Sequence, residues 1–286
     1  MKRVLLSLII LKVGLACCSL APADFHGTRG LAAEVKVHGK LVHLLGYQNT
    51  AQNKAAGGNA MFLPIPAKKG SMGPSNMLDV SACPHAMEDI QEAAARSIVT
   101  RGGLNLRDSN QVQVFDHGLY TVVLAQDAND IPQALSRVKA ERRPQMAPEI
   151  FKAYATWYPG WTFALCCFNS RESAQGDPMF WWYEPLNPQQ LFFPALDAHT
   201  GAPPDLESEV AVDHALAVSA ISMKTSAEVH YRDKLTPQLA AYLPRRVLGH
   251  RVFGHEPNGD FVFRLSDVRA GNFRPERARP PGANSP

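Results

Sequence analysis

Residues 59–66, NAMFLPIP, and residues 191–194, LFFP, are the two stretches that decide the fold. Short runs of apolar and aromatic residues favour β-strands. Proline has no amide hydrogen to donate to a neighbouring strand, so it is confined to a strand end or a sheet edge. Both stretches therefore predict strands that end at a sheet edge or lie along one.

Other segments alternate apolar and polar residues, or run apolar between turn residues, as strands do. They predict a hairpin over residues 34–47, strand pairs over 112–125 and 179–196, single strands over 161–168 and 209–219, and a hairpin over 251–265. The last hairpin is expected to turn at Pro257-Asn258-Gly259, because Asn-Gly supplies the positive φ angles of a tight turn.

Apolar residues at helical spacing predict three short helices, which begin near Cys83, Asp130 and Ile150. The 22 prolines and 20 glycines favour turns over long helices. The predicted fold class is therefore α+β, with mixed, mainly antiparallel sheets. The globular domain is predicted over residues 24–269, and the similarity of the two proline-ended stretches suggests two related lobes, 34–145 and 146–269. The proline- and arginine-rich residues 270–286 predict a disordered tail.

The N-terminus has the pattern of an export signal. Met1-Lys2-Arg3 precedes an apolar run interrupted only by Lys12, and small residues follow at positions 21–23. This predicts a signal peptide over residues 1–23, cleaved after Ala23, and an exported protein, either periplasmic or secreted. The alternative is a cytoplasmic protein in which this run is a buried element. No later segment approaches the ~18 uninterrupted apolar residues of a transmembrane helix.

The charge balance argues against a polyanionic partner. Removing Lys2, Arg3 and Lys12 from the 29 Lys and Arg residues leaves 26, which equals the 26 Asp and Glu residues. A neutral domain has no general attraction for nucleic acid or anionic membranes. The partner is therefore unknown, with a protein or a small molecule as the two options and no nucleic acid.

The sequence lacks the common signatures of nucleotide binding and hydrolysis, such as GxGxxG, HExxH and GxSxG. No cofactor and no metal site is predicted. The one candidate nucleophile is Cys83, at the predicted start of a helix, where the dipole would favour the thiolate. His214 or His199 would be its base, which describes a cysteine-dependent hydrolase or acyltransferase. The alternatives for Cys83 are a buried structural thiol or a disulfide with Cys166 or Cys167.

Aromatic residues crowd into residues 157–193. In a strand, successive side chains point to opposite faces, so one indole of Trp181 and Trp182 is expected to face away from the central core. With Tyr183, these residues are the predicted ligand-binding surface.

The order of the strands and helices is similar to that of an uncharacterised family of exported bacterial proteins. The likeness covers roughly residues 40–200 and includes the segments 112–115 (VQVF), 120–124 (YTVVL) and 161–163 (WTF). It implies export and an α+β fold, and it supplies no catalytic residues. We therefore expect a non-enzymatic exported protein that binds through an aromatic-rich strand surface, with the cysteine enzyme as the alternative.

Overall fold

The structure, a computed structural model, describes residues 18–97 and 113–283. Strands account for 42% of the described residues and helices for 18%. The prediction of mixed, mainly antiparallel sheets is confirmed, but the small helical share makes the fold mainly β rather than clearly α+β.

The strands and helices follow one another along the whole described chain. The strands are β1 (Cys18–Ser19), β2 (Ala23–Val37), β3 (Lys40–Asn53), β4 (Asn59–Ile65), β5 (Gln113–His117), β6 (Tyr120–Ala125), β7 (Thr162–Phe168), β8 (Ala174–Gln175), β9 (Met179–Tyr183), β10 (Gln190–Phe193), β11 (Glu209–Ser219), β12 (Ala227–Glu228), β13 (Arg246–Pro257), β14 (Asp260–Arg264) and β15 (Glu276–Ala278). The helices are α1 (Ala86–Arg96), α2 (Ile131–Ala134), α3 (Pro148–Trp157), α4 (Pro237–Tyr242) and α5 (Leu265–Ala270).

The described residues form three sheets. The large sheet has the order β12-β13-β11-β2-β3-β8, with β9 pairing with β3 beside β8. Its β11–β2 pair is parallel, and its other pairs are antiparallel. The second sheet has the antiparallel order β1-β4-β7-β6-β5, and the third, small sheet has the antiparallel order β10-β14-β15.

Both proline-ended stretches behave as predicted. β1 pairs only with Met61 and Phe62 of β4, so Pro64 lies on a part of β4 that has no strand on that side among the described residues. β10 ends at Phe193, immediately before Pro194. Proline therefore stands only where a strand need not donate a hydrogen bond on both sides.

Two predicted strand pairs do not form. β13 pairs with β11 while β14 pairs with β10, so the chain crosses between sheets at Asn258-Gly259 instead of turning in a hairpin. The Asn258 side chain is buried and bonds to the main chain of Asp197 and Asp205, which holds this turn against other loops. Likewise β9 pairs with β3, and β10 pairs with β14.

The sheets and helices form four layers with three apolar cores. The central core lies between the large sheet and the two smaller sheets. A second core lies between the outer face of the large sheet and helices α1 and α4, and a third between the outer face of the second sheet and helices α2 and α3. Helix α1 lies so close to β13 that a Cβ at Gly249 would be 2.2 Å from the Ala94 carbonyl oxygen.

The predicted lobes 34–145 and 146–269 are not separate bodies. The large sheet combines β2 and β3 with strands from the second half of the chain. The central core likewise takes side chains from both halves, so the two halves are joined through this core.

Residues 18–23 belong to the fold. Cys18 and Ser19 pair with β4, and the Ser19 amide donates to the Ala198 carbonyl oxygen at 2.9 Å. Cys18 and Leu20 are buried in the third core. The predicted cleavage after Ala23 would therefore remove a packed strand.

The C-terminal prediction of a tail over residues 270–286 is wrong up to the last described residue. Phe273 packs against the central core, and β15 extends the small sheet through three pairs with β14. The helices predicted near Cys83 and Ile150 are α1 and α3, and the one near Asp130 is a four-residue helix between two short 3-10 turns. Within the described residues, every helix is too short or too polar to span a bilayer.

Candidate functional site

The predicted aromatic surface is buried. Trp181 and Trp182 are each 0% exposed, and Tyr183 is also buried. Trp181 and Tyr183 lie in the central core, while Trp182 lies in the second core near Tyr242 of α4. Both faces of β9 are thus covered, so these residues offer no surface to a ligand.

Cys83 is a buried thiol that lies outside helix α1. The helix begins at Ala86, and the Cys83 amide donates to the Val80 carbonyl oxygen instead of facing a ligand. Burial, with smaller contributions from the carboxylates of Asp233 and Asp89, raises the pKa of the Cys83 thiol to about 11. A thiol in this setting is protonated at neutral pH and is a poor nucleophile.

The structure does not bring the predicted bases to Cys83. His214 is buried on the central-core face of the large sheet, between the rings of Phe193 and Phe261. Cys83 lies in the second core, on the other side of that sheet. His199 lies 2.8 Å from the Asp197 carboxylate, with its ring against Phe25 of the central core.

The described cysteines are separate thiols. Cys18, Cys83, Cys166 and Cys167 are all free and buried. Cys83 lies in the second core, Cys166 in the central core and Cys167 in the third core. The disulfides considered for Cys83 are therefore not formed.

Thiol labelling tests this arrangement. We expect Cys83, Cys166 and Cys167 to react with iodoacetamide at neutral pH only after unfolding in urea, because each is buried and protonated thiols react slowly. The measurement is site-resolved peptide mass spectrometry, with and without urea. Rapid labelling of native Cys83 alone would restore the enzyme hypothesis.

An aromatic-lined hollow of about 170 Å³ lies on the outward face of the small sheet. We name it the Trp161 pocket. Its lining comprises Pro66, Trp161, Leu186, Asn187, Gln190, Phe192, Asp260, Val262, Ala278, Arg279 and Pro281. Four larger hollows of the described residues reach 410 Å³, but none of them is lined by tryptophan or phenylalanine.

Strand register builds the floor of the Trp161 pocket. Phe192 of β10 stands opposite Val262 of β14, and Asp260 stands opposite Ala278 of β15. These residues share one face because side chains alternate along each strand. The other face of the small sheet carries Phe193 and Phe261, which lie in the central core.

The end of helix α3 builds the wall. The helix ends at Trp157. Gly160, with φ of 77°, then turns the chain, and Trp161 lies directly after this turn. The Trp161 ring lies 5.0 Å from the Tyr158 ring and 4.9 Å from the Phe192 ring, in an edge-to-face arrangement with Phe192. Aromatic pairs favour this geometry.

A buried carboxyl group supports this wall. Asp260 accepts a 2.5 Å hydrogen bond from the Tyr158 hydroxyl and further bonds from the amides of Ala195 and Leu196. Burial raises the pKa of Asp260 to about 6 despite these bonds and the nearby Arg277 guanidinium. Asp260 thereby links β14, the end of β10 and the helix end that positions Trp161.

No metal centre is formed by the residues the structure describes, since no group of three or more His, Cys, Asp or Glu side chains could hold an ion.

The sequence indicates only some of the residues that line the Trp161 pocket. Trp161 and Phe192 belong to the aromatic-rich residues 157–193, so the composition indicates this region but not which of its residues line a pocket. Nothing in the sequence marks Asp260 and Val262 as pocket residues, because they join Phe192 only when β14 pairs with β10 in the folded chain.

Comparisons with known proteins do not assign a function. No protein-family model matches the chain, and no curated protein matches it. Two solved structures resemble it in outline. A mutated baculovirus P35 after caspase cleavage has a TM-score of 0.36 and 8% identity, over 87% of this chain and 99% of that one. Baculovirus P35 has a TM-score of 0.37 and 12% identity, over 86% and 90%. TM-scores this low do not establish a common fold.

Proposed function

We propose that the chain is a non-enzymatic binding protein that takes one apolar ring of a partner protein into the Trp161 pocket. The observation that carries the proposal is the pocket itself, where Trp161 and Phe192 stand 4.9 Å apart beside Val262. Rigid aromatic side chains that line a pocket are the usual anchors of protein interfaces.

The size of the pocket favours a single side chain over a whole metabolite. Sites for drug-sized ligands span ~300–1,000 Å³, and the Trp161 pocket holds about 170 Å³. An apolar cavity of ~150 Å³ accommodates one benzene ring. The neighbouring Leu186 is 45% exposed and extends the apolar surface beyond the pocket.

Export and relation to the exported bacterial family stay predictions of the sequence. The proposed protein is accordingly an exported one, with cytoplasmic residence as the alternative. Two features argue against a cysteine enzyme: burial holds Cys83 protonated, and His214 lies on the opposite face of the large sheet.

Binding of p-cresol, which carries a tyrosine ring, tests the proposal. We expect p-cresol to shift the Trp161 indole N–H signal and the backbone amide signal of Gln190 in two-dimensional NMR. The Gln190 signal also reports binding by variants that lack Trp161. Val262→Phe should weaken this binding by about tenfold or more, because the added ring fills the pocket and a lost ring contact is worth about 1.4 kcal/mol or more.

The matched control is Phe253→Ser. Phe253 is 77% exposed on β13 of the large sheet, does not line the Trp161 pocket, and is an alternative apolar anchor. This variant should bind p-cresol as the unmodified chain does. Equal binding by the Val262→Phe variant, or loss of binding in Phe253→Ser alone, would contradict the proposal.

A further inference from the structure

The chain's own C-terminal segment places an exposed proline, Pro281, at the border of the Trp161 pocket. Pro280, the residue before it, is buried. The Gly282 amide donates to the Trp157 carbonyl oxygen at 2.7 Å, which fixes the segment on the end of helix α3. The fit is close, because a Cβ at Gly282 would be 2.2 Å from the Thr156 carbonyl oxygen.

Hydrogen-bond donors surround the open part of the pocket. Within the described residues, no hydrogen bond uses the Trp161 indole N–H, the Asn187 amide nitrogen or the Gln190 side-chain amide. All three side chains line the pocket. They can therefore donate to the carbonyl groups of a bound peptide.

These two features match one kind of peptide. A polyproline II segment has no internal hydrogen bonds, so its carbonyl groups remain free to accept. Its prolyl rings fit grooves lined by aromatic side chains, and its restricted backbone loses little entropy on binding. A regular β-strand partner would fit less well, because β15 has only three residues and Pro280 follows soon after it.

We propose that the partner is a proline-containing segment in the polyproline II conformation, which places a prolyl ring in the Trp161 pocket, against Trp161 and Phe192. This inference rests on the proposed function, since it names the chemistry of the ring that enters the Trp161 pocket. The Trp161 indole N–H then donates to a carbonyl group of the segment, and Asn187 and Gln190 donate to its neighbours.

The experiment compares three probes on the full chain by NMR titration: Ac-Arg-Pro-Pro-Gly-NH2, Ac-Arg-Ala-Ala-Gly-NH2 and p-cresol. We expect the proline peptide to bind about tenfold more tightly than the alanine peptide. Trp161→Phe keeps an aromatic ring but removes the N–H. It should lower the affinity for the proline peptide by about tenfold and the affinity for p-cresol by less than about threefold. The reason is that the indole N–H donates a hydrogen bond to the peptide but not to p-cresol.

The outcomes separate this inference from the proposed function. Equal affinity for the two peptides, or no effect of Trp161→Phe on the proline peptide, overturns the polyproline inference. Binding of p-cresol without binding of either peptide also overturns it and leaves the ring pocket standing. If no probe shifts the Trp161 signal, both proposals fail.

Discussion

Replacing Trp181 by alanine is expected to lower the free energy of unfolding by about 3–5 kcal/mol, as for other large aromatic residues removed from a core. Trp181 is 0% exposed in the central core, paired in β9 with Leu45 of β3. Its removal leaves a cavity that the surrounding sheets cannot close completely. Urea unfolding followed by circular dichroism measures the change.

Trp161→Ala is the matched control, because it removes the same side chain from a partly buried position. Its cost should be about 1 kcal/mol, near the centre of the distribution for point substitutions, because Trp161 is only partly buried against the third core, while binding of p-cresol is lost. If Trp181→Ala were nearly neutral in stability and abolished binding, the aromatic surface predicted from the sequence would be right and the Trp161 pocket wrong.

The sequence predicts local structure well where the signal is local. The hairpin predicted over residues 34–47 forms between β2 and β3 and turns at His38-Gly39, with φ angles of 46° and 87°. The strand pair predicted over residues 112–125 forms between β5 and β6. Proline marks strand ends in both stretches that opened the sequence, because its missing amide hydrogen acts wherever the chain goes.

Partners that are distant in sequence could not be predicted in this way. Asn258-Gly259 has the composition of a hairpin turn, yet the Asn258 side chain bonds to loops of residues 197 and 205 and the strands on either side enter different sheets. Local propensity is the same in both cases, and tertiary contacts decide between them.

The site shows the same division. The aromatic-rich residues 157–193 include two aromatic residues that line the Trp161 pocket. The alternation of side chains along a strand instead predicts that Trp181 or Trp182 is exposed, because it takes only one face of the strand to be covered. Helix α4, only six residues long, and the chain before helix α1 cover the second face. Trp161, which follows the turn at Pro159-Gly160 after helix α3, is partly exposed and lines the Trp161 pocket.

The second large effect is expected from the ionisation of Asp260. Its pKa is raised from 3.8 to about 6, chiefly by burial. The folded chain therefore holds this proton more tightly than the unfolded chain does, and stability is fully present below about pH 4. As pH rises through about 6, ionisation of Asp260 should lower the free energy of unfolding by about 3 kcal/mol. This figure follows from the difference between 3.8 and about 6, at about 1.4 kcal/mol for each pH unit.

Asp260→Asn isolates this effect from the other carboxyl groups of the chain. Asparagine keeps an oxygen for the amides of Ala195 and Leu196 but cannot ionise. The difference in unfolding free energy between variant and unmodified chain, measured in urea from pH 4 to pH 7, should shift by about 3 kcal/mol in favour of the variant as pH rises. A constant difference would mean that burial does not control the Asp260 carboxyl. A shift of opposite sign would mean that the Tyr158 hydroxyl, the two amides and Arg277 outweigh burial, so that the carboxylate itself stabilises the wall of the Trp161 pocket.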